Sequence, residues 1–277
     1  DKKNKIEKKL GRKLSTKEFQ EKHYEGYTGN DGTLAGSGTS IFDPVLCELA
    51  YRWFMPKSGE ILDPFAGGSD RGIVAGILGY GYTGIDLRPE QVEANEAQAV
   101  KICGDNMPNW IVGDSRDLDR PIAEGEQFDF IFSCPPYFDL ELYSDDEKDL
   151  SNAGDYKEFL DAYYGIIAKS VDRLRDNRFA CFVVGDIRDK KGFYRNFVSD
   201  TIEAFQTAGM TLYNEAILVT PAGSLPRLVG RQFEASRKLG KTHQNVLVFY
   251  KGDPKVIKGW GEVECGEMPD GEQEVMA

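Results

Sequence analysis

Between Glu60 and Tyr250 the chain alternates short apolar runs with longer segments of helical spacing, and this alternation restricts its possible architectures more than any other feature. The runs read as strands at Glu60–Asp63, Tyr82–Asp86, Trp110–Val112, Phe128–Ser133, Phe179–Val184, Thr211–Thr220 and Asn245–Tyr250. Helices are expected near Arg71–Leu78, Pro89–Ile102, Tyr156–Arg173 and Phe197–Ala208. A further helix precedes the first strand, because Val45, Leu46, Leu49, Ala50, Trp53 and Phe54 recur at helical spacing behind an Asp43-Pro44 cap. Trp53 and Trp110 read as core. The run Phe128–Ser133 is as apolar as a strand buried on both faces. Such alternation predicts an α/β protein: an open, mostly parallel, seven-stranded sheet with helices on both faces. Ligands of these sheets bind beyond the C-terminal ends of the strands, so the residues standing there carry the functional reading.

Composition removes several classes. The 277 residues suffice for one large α/β domain. The five cysteines include no CxxC pair and are odd in number, and only His23 and His243 supply imidazoles, so neither a disulfide scaffold nor a metal site is expected. No apolar stretch is long enough to span a bilayer and no leader pattern is visible, which points to a cytoplasmic protein without a membrane partner. The chain opens on Asp1 rather than Met, as a fragment or a processed product does.

The net charge is −12, yet it is unevenly spread. Residues 1–22 carry nine Lys/Arg against four Asp/Glu, and residues 221–243 carry Arg227, Arg231, Arg237, Lys238 and Lys241 against Glu234 alone. Residues 251–277 carry three Lys against seven acids. An acidic body with two basic segments can meet a polyanion locally while staying soluble; a charge run is also what a solvated face looks like. The expected organisation is a basic arm over 1–38, a domain over 39–252 with the basic insertion 221–243, and an acidic, flexible tail over 253–277. Residues 5–22 have helical spacing, and Gly-, Ser- and Thr-rich residues 26–40 read as a loop.

Four motifs stand at strand ends. The first is Asp63-Pro64-Phe65-Ala66-Gly67-Gly68-Ser69, whose glycines permit a sharp turn and close approach of a ligand. It is neither GxGxxG nor GxxxxGK[ST], so the dinucleotide and P-loop fingerprints are absent. The second, Gly84-Ile85-Asp86, puts an acid where ribose hydroxyls are bound in dinucleotide folds. The third is Gly113-Asp114-Ser115, where Asp114 can accept from an adenine amino group. Each acid also fits a helix cap, but three at successive strand ends form a pattern. The fourth is Ser133-Cys134-Pro135-Pro136-Tyr137. Its prolines remove two donors and leave carbonyl acceptors for an exocyclic amino group, while Tyr137 offers a flat face for a base.

In this order and spacing DPFAGG, GID, GDS and CPPY resemble the S-adenosylmethionine-dependent amino-methyltransferases of DNA, the adenine-N6 and cytosine-N4 enzymes whose cofactor motifs precede the catalytic one. The resemblance covers about Thr39–Gly252 and includes Ser40-Ile41-Phe42-Asp43-Pro44 and the final strand after Lys241-Thr242-His243-Gln244. It implies a Rossmann-like class I methyltransferase fold, with S-adenosyl-L-methionine as cofactor and double-stranded DNA as partner. Asp63, Phe65, Ala66 and Gly67 would line the methionine end of the cofactor, and Phe42 and Pro44 would close over it. Asp86 would hold the ribose, and Asp114 with Ser115 the adenine. Cys134, Pro135, Pro136 and Tyr137 would hold a flipped base, and Arg227, Arg231, Arg237, Lys238 and Lys241 would contact phosphates.

Two departures from the family pattern stand out. The catalytic tetrapeptide begins with Cys134 where Asp, Asn or Ser is usual; Cys is nearest to Ser in size and points to cytosine N4 ahead of adenine N6. The Gly turn continues Gly68-Ser69-Asp70-Arg71 instead of Gly-Ser-Gly-Thr, which puts an ion pair or a free Arg near the cofactor's amino-acid end. The competing readings are the same chemistry on RNA and a non-catalytic DNA-binding protein with a degenerate cofactor pocket. Gly185-Asp186-Ile187-Arg188-Asp189 reads as a solvated turn or a cleft-facing one. Acidic Asp139–Asp149 reads as a solvated loop or a lid. The absence of an appended nuclease motif fits a stand-alone modification enzyme, for host protection, regulation or a phage, as a monomer or a homodimer.

Overall fold

Strand order, more than any single contact, determines where this protein can hold a ligand. The computed structural model describes residues 42–140, 144, 146–219, 225–260 and 263. Its seven strands are β1 (Glu60–Asp63), β2 (Gly81–Asp86), β3 (Asn109–Val112), β4 (Phe128–Ser133), β5 (Leu174–Val184), β6 (Thr211–Val219) and β7 (His243–Lys251). They form one sheet in the order β3-β2-β1-β4-β5-β7-β6. β1 through β5 pair in parallel, and β7 runs antiparallel between β5 and β6. The chain moves outward from β1 in one direction, then returns to lay β4 on its other side. The reversal opens a crevice beyond the ends of β1 and β4, where the DPFAGG and CPPY motifs leave the sheet.

Helices cover both faces, as the alternation predicts. The helices are α1 (Pro44–Phe54), α2 (Asp70–Ile77), α3 (Pro89–Ile102), α4 (Tyr156–Asp172), α5 (Phe197–Thr207) and α6 (Leu225–Ser236). On one face Phe159, Tyr163, Ile166 and Ile167 of α4 join Phe197 and Phe205 of α5 over Ile131, Phe182 and Phe249. On the other, Cys47 and Tyr51 of α1 and Ile73 of α2 pack over Phe130, Phe132, Cys181 and Val248. Every residue of β4 is buried, so its apolar run serves both cores. The Phe205 and Phe249 rings stack at 4.0 Å on the first face.

The local signals explain the element ends. Asp43 caps α1, accepting from the Val45 amide at 2.9 Å and the Leu46 amide at 3.3 Å, with Pro44 in the first turn. Asp155 caps α4 through the Glu158 amide at 2.8 Å. Gly72 lets α2 lie directly on the sheet edge, because a methyl there would run into Trp110 and stand 3.0 Å from the Tyr82 ring.

Three expectations need correction. Trp110 is buried, but Trp53 lies on the outer side of α1 with 42% of its surface exposed. The basic segment 221–243 contains α6, which its loop-like flanks did not announce. The expected flexible tail begins with packed structure: Asp253 caps a short 3-10 helix, Pro254–Gly259, and Trp260 sits on the Phe179 ring at 5.4 Å and beneath the Arg178 guanidinium at 5.6 Å. The basic arm over 1–38 and the tail beyond Val263 lie outside the described residues. No helix among the described residues is long and apolar enough to cross a membrane.

Two glycine substitutions should therefore have opposite signs. Gly165 is exposed in α4 with nothing near its missing side chain, so Gly165→Ala is expected to add about 0.5–1 kcal/mol of stability. Gly72→Ala should lower stability by about 1–3 kcal/mol despite the same helical gain, because Trp110 must move. Urea denaturation of both variants checks this; a stabilising Gly72→Ala would contradict the packing described.

Candidate active site

The crevice is built around one buried carboxylate. Asp63 ends β1 and has no exposed surface. Its Oδ2 accepts from Arg71 Nε at 2.5 Å and from the Tyr82 hydroxyl at 2.8 Å. Its Oδ1 accepts from the Ser133 hydroxyl at 2.5 Å and the Phe65 amide at 3.2 Å. Ser133 is the last residue of β4, so this contact fastens the Gly-rich loop to the base of the CPPY loop. Arg71 in turn donates from Nη2 to the carbonyls of Phe65 and Ala66, each at 2.7 Å, and lies 4.7 Å from the centre of the Phe42 ring. Burial works against the Arg71 charge, but the adjacent Asp63 outweighs it and keeps the guanidinium charged. Burial, then the Asp63 charge, holds the Tyr82 phenol well above its ordinary value.

Arg71 thus pairs with Asp63 rather than with its sequence neighbour Asp70. Both oxygens of Asp63 are engaged inside the protein, and the guanidinium shapes the loop from within. The loop surface is formed by Phe65 and Gly67, while the Ala66 expected beside them is fully buried. Gly67 has φ +51°, and an added Cβ there would meet nothing within 4 Å. Its amide donates to Asp86 Oδ2 at 3.1 Å, and its carbonyl accepts from Asn95 Nδ2 at 2.8 Å.

Asp86 ends β2 and accepts from the Arg88 amide through Oδ1 at 2.8 Å. Burial raises its pKa above the usual aspartate range, opposed by those amides and the Arg88 charge. Asp114, after β3, caps the turn Ser115–Asp117 and holds the Arg116 guanidinium at 2.8–3.1 Å. Burial pushes its pKa up, but the Arg116 hydrogen bonds prevail and lower it. Ser115 donates to the Pro64 carbonyl at 2.6 Å, which ties this loop to the first. Phe42 sits edge-on to Phe132 at 5.6 Å, whereas Pro44 is exposed at the start of α1.

In the CPPY loop Pro135 is buried, and Cys134, Pro136 and Tyr137 are half-buried. The Tyr137 hydroxyl accepts from Gln244 Nε2 at 2.6 Å and also hydrogen-bonds the Cys134 side chain. Its ring meets Phe197 edge-on at 5.8 Å. Burial, then the neighbouring Cys134, raises the Tyr137 pKa well above that of a free phenol, so the group stays neutral. The four basic residues whose side chains are described, Arg231, Arg237, Lys238 and Lys241, do not share one set of contacts. Lys241 Nζ and the Tyr137 hydroxyl come within 3.8 and 3.9 Å of the position a Cβ on Gly185 would take, so Lys241 stands near Tyr137. Lys238 lies against Gly192, and with Arg231 it lines a groove along the end of α6. Arg237 covers its own helix's Phe233 at 5.2 Å. The Arg227 side chain lies outside the described residues.

Several members of the site are not conspicuous in the sequence. Asn95 is one whose signal was available: it shares the buried stripe of α3 with Val92 and Ala99, where a polar side chain needs a reason. Ser133, Tyr82 and Gln244 look like ordinary strand residues until the strands are assembled. Among the described residues no group of three His, Cys, Asp or Glu side chains could hold a metal ion.

No protein-family model and no curated protein matches the chain. Similarity is found among solved structures. TrmN from Thermus thermophilus aligns with a TM-score of 0.50 at 16% identity, over 76% of this chain and 49% of TrmN, so this chain spans about half the length of that protein. A methyltransferase from Pyrococcus furiosus aligns at 0.49 and 14% identity, over 78% of this chain and 87% of its own. A SAM-dependent methyltransferase from Methanosarcina mazei aligns at 0.49 and 13% identity, over 76% and 99%. The fold is the Rossmann-like class I fold of S-adenosylmethionine-dependent methyltransferases.

The hub makes a stability prediction. Arg71→Met leaves the Asp63 carboxylate buried without its cation, and a loss of about 3–5 kcal/mol is expected. Adding Asp63→Asn to that variant should restore part of the loss, which a double-mutant cycle in urea measures. Equal losses in the single and double variants would remove Asp63 as the reason for the buried Arg71.

Proposed function

We propose that this protein is an S-adenosylmethionine-dependent methyltransferase acting on the exocyclic amino group of a flipped base in DNA, cytosine N4 ahead of adenine N6. The observation that carries the reading is the joining of the DPFAGG and CPPY loops at the sheet's reversal point through the Ser133–Asp63 hydrogen bond. The cofactor's fit rests on the open surface over Gly67 and on a carboxylate at the end of β2 held by two amides. When bound, S-adenosylmethionine supplies an electrophilic methyl group.

Phe65 and Gly67 present the surface for its methionine end, with buried Ala66 behind them, while Asp63 works through Arg71 and Ser133 as a positioning residue. Asp86 accepts from ribose hydroxyls with the lone pairs its amide partners leave. Asp114 and Ser115 border the adenine side, with Phe42 and Pro44 at the other edge. Tyr137, held by Gln244 and Phe197, stacks on the target base, and the Cys134–Pro136 backbone accepts the amino hydrogens so that the nitrogen lone pair stays available. The remaining basic residues, Arg227, Arg231, Arg237, Lys238 and Lys241, offset the cost of extruding the base through phosphate contacts.

Mass spectrometry of nucleosides from mixed-sequence duplex DNA, incubated with protein and methyl-deuterated cofactor, tests the reaction. Labelled N4-methylcytosine is the expected product; labelled N6-methyladenine would reassign the base. Label appearing only in a parallel reaction with structured RNA would overturn the DNA substrate. Asp86→Ala and Tyr137→Ala should each abolish labelling while the melting transition persists.

Acid should weaken cofactor binding earlier than an ordinary aspartate would. The raised pKa of Asp86 means that, as pH falls, it takes up its proton above the usual carboxylate range and loses acceptor strength. Calorimetric titrations with S-adenosylmethionine across the acid range should show affinity declining from that higher pH. A flat affinity down to the ordinary aspartate range would remove Asp86 from the cofactor site.

A further inference from the structure

We propose that the hairpin 185–196, which leaves the end of β5, is a second nucleic-acid contact in which Phe193 and Tyr194 stack on an exposed base and Lys190 and Lys191 meet the flanking phosphates. The inference rests on the proposed substrate class and names the element that would grip it. The segment is not the featureless turn that Gly185–Asp189 resembles in the sequence. Arg188 and Tyr194 form an antiparallel bridge, and the Arg195 amide donates to the Ile187 carbonyl at 2.9 Å. At the tip Asp189 Oδ1 accepts from the Lys191 and Phe193 amides, both at 2.9 Å. Hydrogen bonds from its own backbone give this excursion a defined shape.

That shape turns its aromatic rings outward. Phe193 is 71% exposed and Tyr194 44% exposed, on a loop that also exposes Lys190 and Lys191. Arg188 lies 3.9 Å over one face of the Tyr194 ring and donates to the Gly192 carbonyl at 2.8 Å, which fixes a ring that remains 44% exposed. The two local acids are already committed: Asp189 to the tip amides and Asp186 to the Val198 amide at 3.1 Å. Arg188, Lys190, Lys191 and Arg195 outnumber those two acids, so the hairpin is locally cationic on a chain whose net charge is −12.

Position selects the ligand. The hairpin starts at Gly185, next to the Tyr137 hydroxyl and Lys241 Nζ, and its Gly192 contacts Lys238. Arg195, at its return, lies over Phe138 at 4.9 Å and Tyr156 at 4.7 Å. It is thus anchored on the residues that follow the CPPY motif. Exposed flat rings interleaved with cations, beside a site for an extruded base, match a nucleic-acid strand with unstacked bases.

The test is fluorescence anisotropy with the full chain and two labelled probes: a duplex DNA with one mismatched pair, and a structured RNA of equal length. Phe193→Ala/Tyr194→Ala should weaken binding roughly 5- to 100-fold with little change in salt dependence. Lys190→Ala/Lys191→Ala should instead reduce the slope of log affinity against log salt by about two. Tyr194→Phe, which keeps the ring, should bind as wild type does. Wild-type affinity and slope in both double variants would overturn the hairpin contact and leave the proposed reaction standing. Binding only to RNA, weakened by the variants, would support the hairpin while overturning the DNA substrate. No binding of wild type to either probe would overturn both.

Discussion

The site depends on the pairing of Asp63 with Arg71. A carboxylate with no solvent contact is costly unless its lone pairs are filled, and here four donors fill them from Arg71, Tyr82, Ser133 and Phe65. The guanidinium repeats the logic by reaching two loop carbonyls as well as the carboxylate. Buried ion pairs are weak sources of net stability. Their use here is geometric: one pair fixes the path of the Gly-rich loop and fastens it to β4. A loop free to open at Gly67 and Gly68 is held in one shape by a side chain from the helix that follows it.

The sheet gives that pair its setting. Because β1 and β4 are neighbours while the chain reverses between them, their C-terminal loops meet, and a residue at the end of each can touch the other. Ser115 extends the arrangement from β3 by hydrogen-bonding Pro64, and Asp86 from β2 by accepting from Gly67. The four motifs are thus joined by three hydrogen bonds that involve side chains, and by backbone bonds from the Ala66 amide to Ile85 and from the Gly113 amide to Asp86.

Much of this was legible in the sequence. The alternation of periods gave the strands, their mostly parallel sheet and the helices on both faces, and the motifs lay at the strand ends where they were expected. What could not be read was the partnership of particular side chains. Asp63 is separated by 8 residues from Arg71, by 19 from Tyr82 and by 70 from Ser133, and Tyr137 by 107 from Gln244. No local pattern encodes such pairs. Asp70 beside Arg71 suggested a neighbouring ion pair, but a helix turns adjacent residues to different faces, and the buried carboxylate lies on the Arg71 side. Trp53 failed as a core residue for a related reason: helical spacing defines a stripe, and its margins are settled only by what packs against them.

The charge distribution reconciles an acidic protein with the polyanionic substrate proposed for it. At physiological ionic strength a phosphate senses charges within about 8 Å and little beyond. The net charge of −12 therefore matters less to a strand at the crevice than the cations beside it. Lys241 stands next to Gly185 and Lys238 next to Gly192, so the end of the basic segment and the hairpin after β5 meet along one margin of the proposed base site. The hairpin's four cations, Arg188, Lys190, Lys191 and Arg195, outnumber its two acids, which adds net positive charge to that margin. A strand held there would have its phosphates near lysines and its bases near Tyr137, Phe193 and Tyr194.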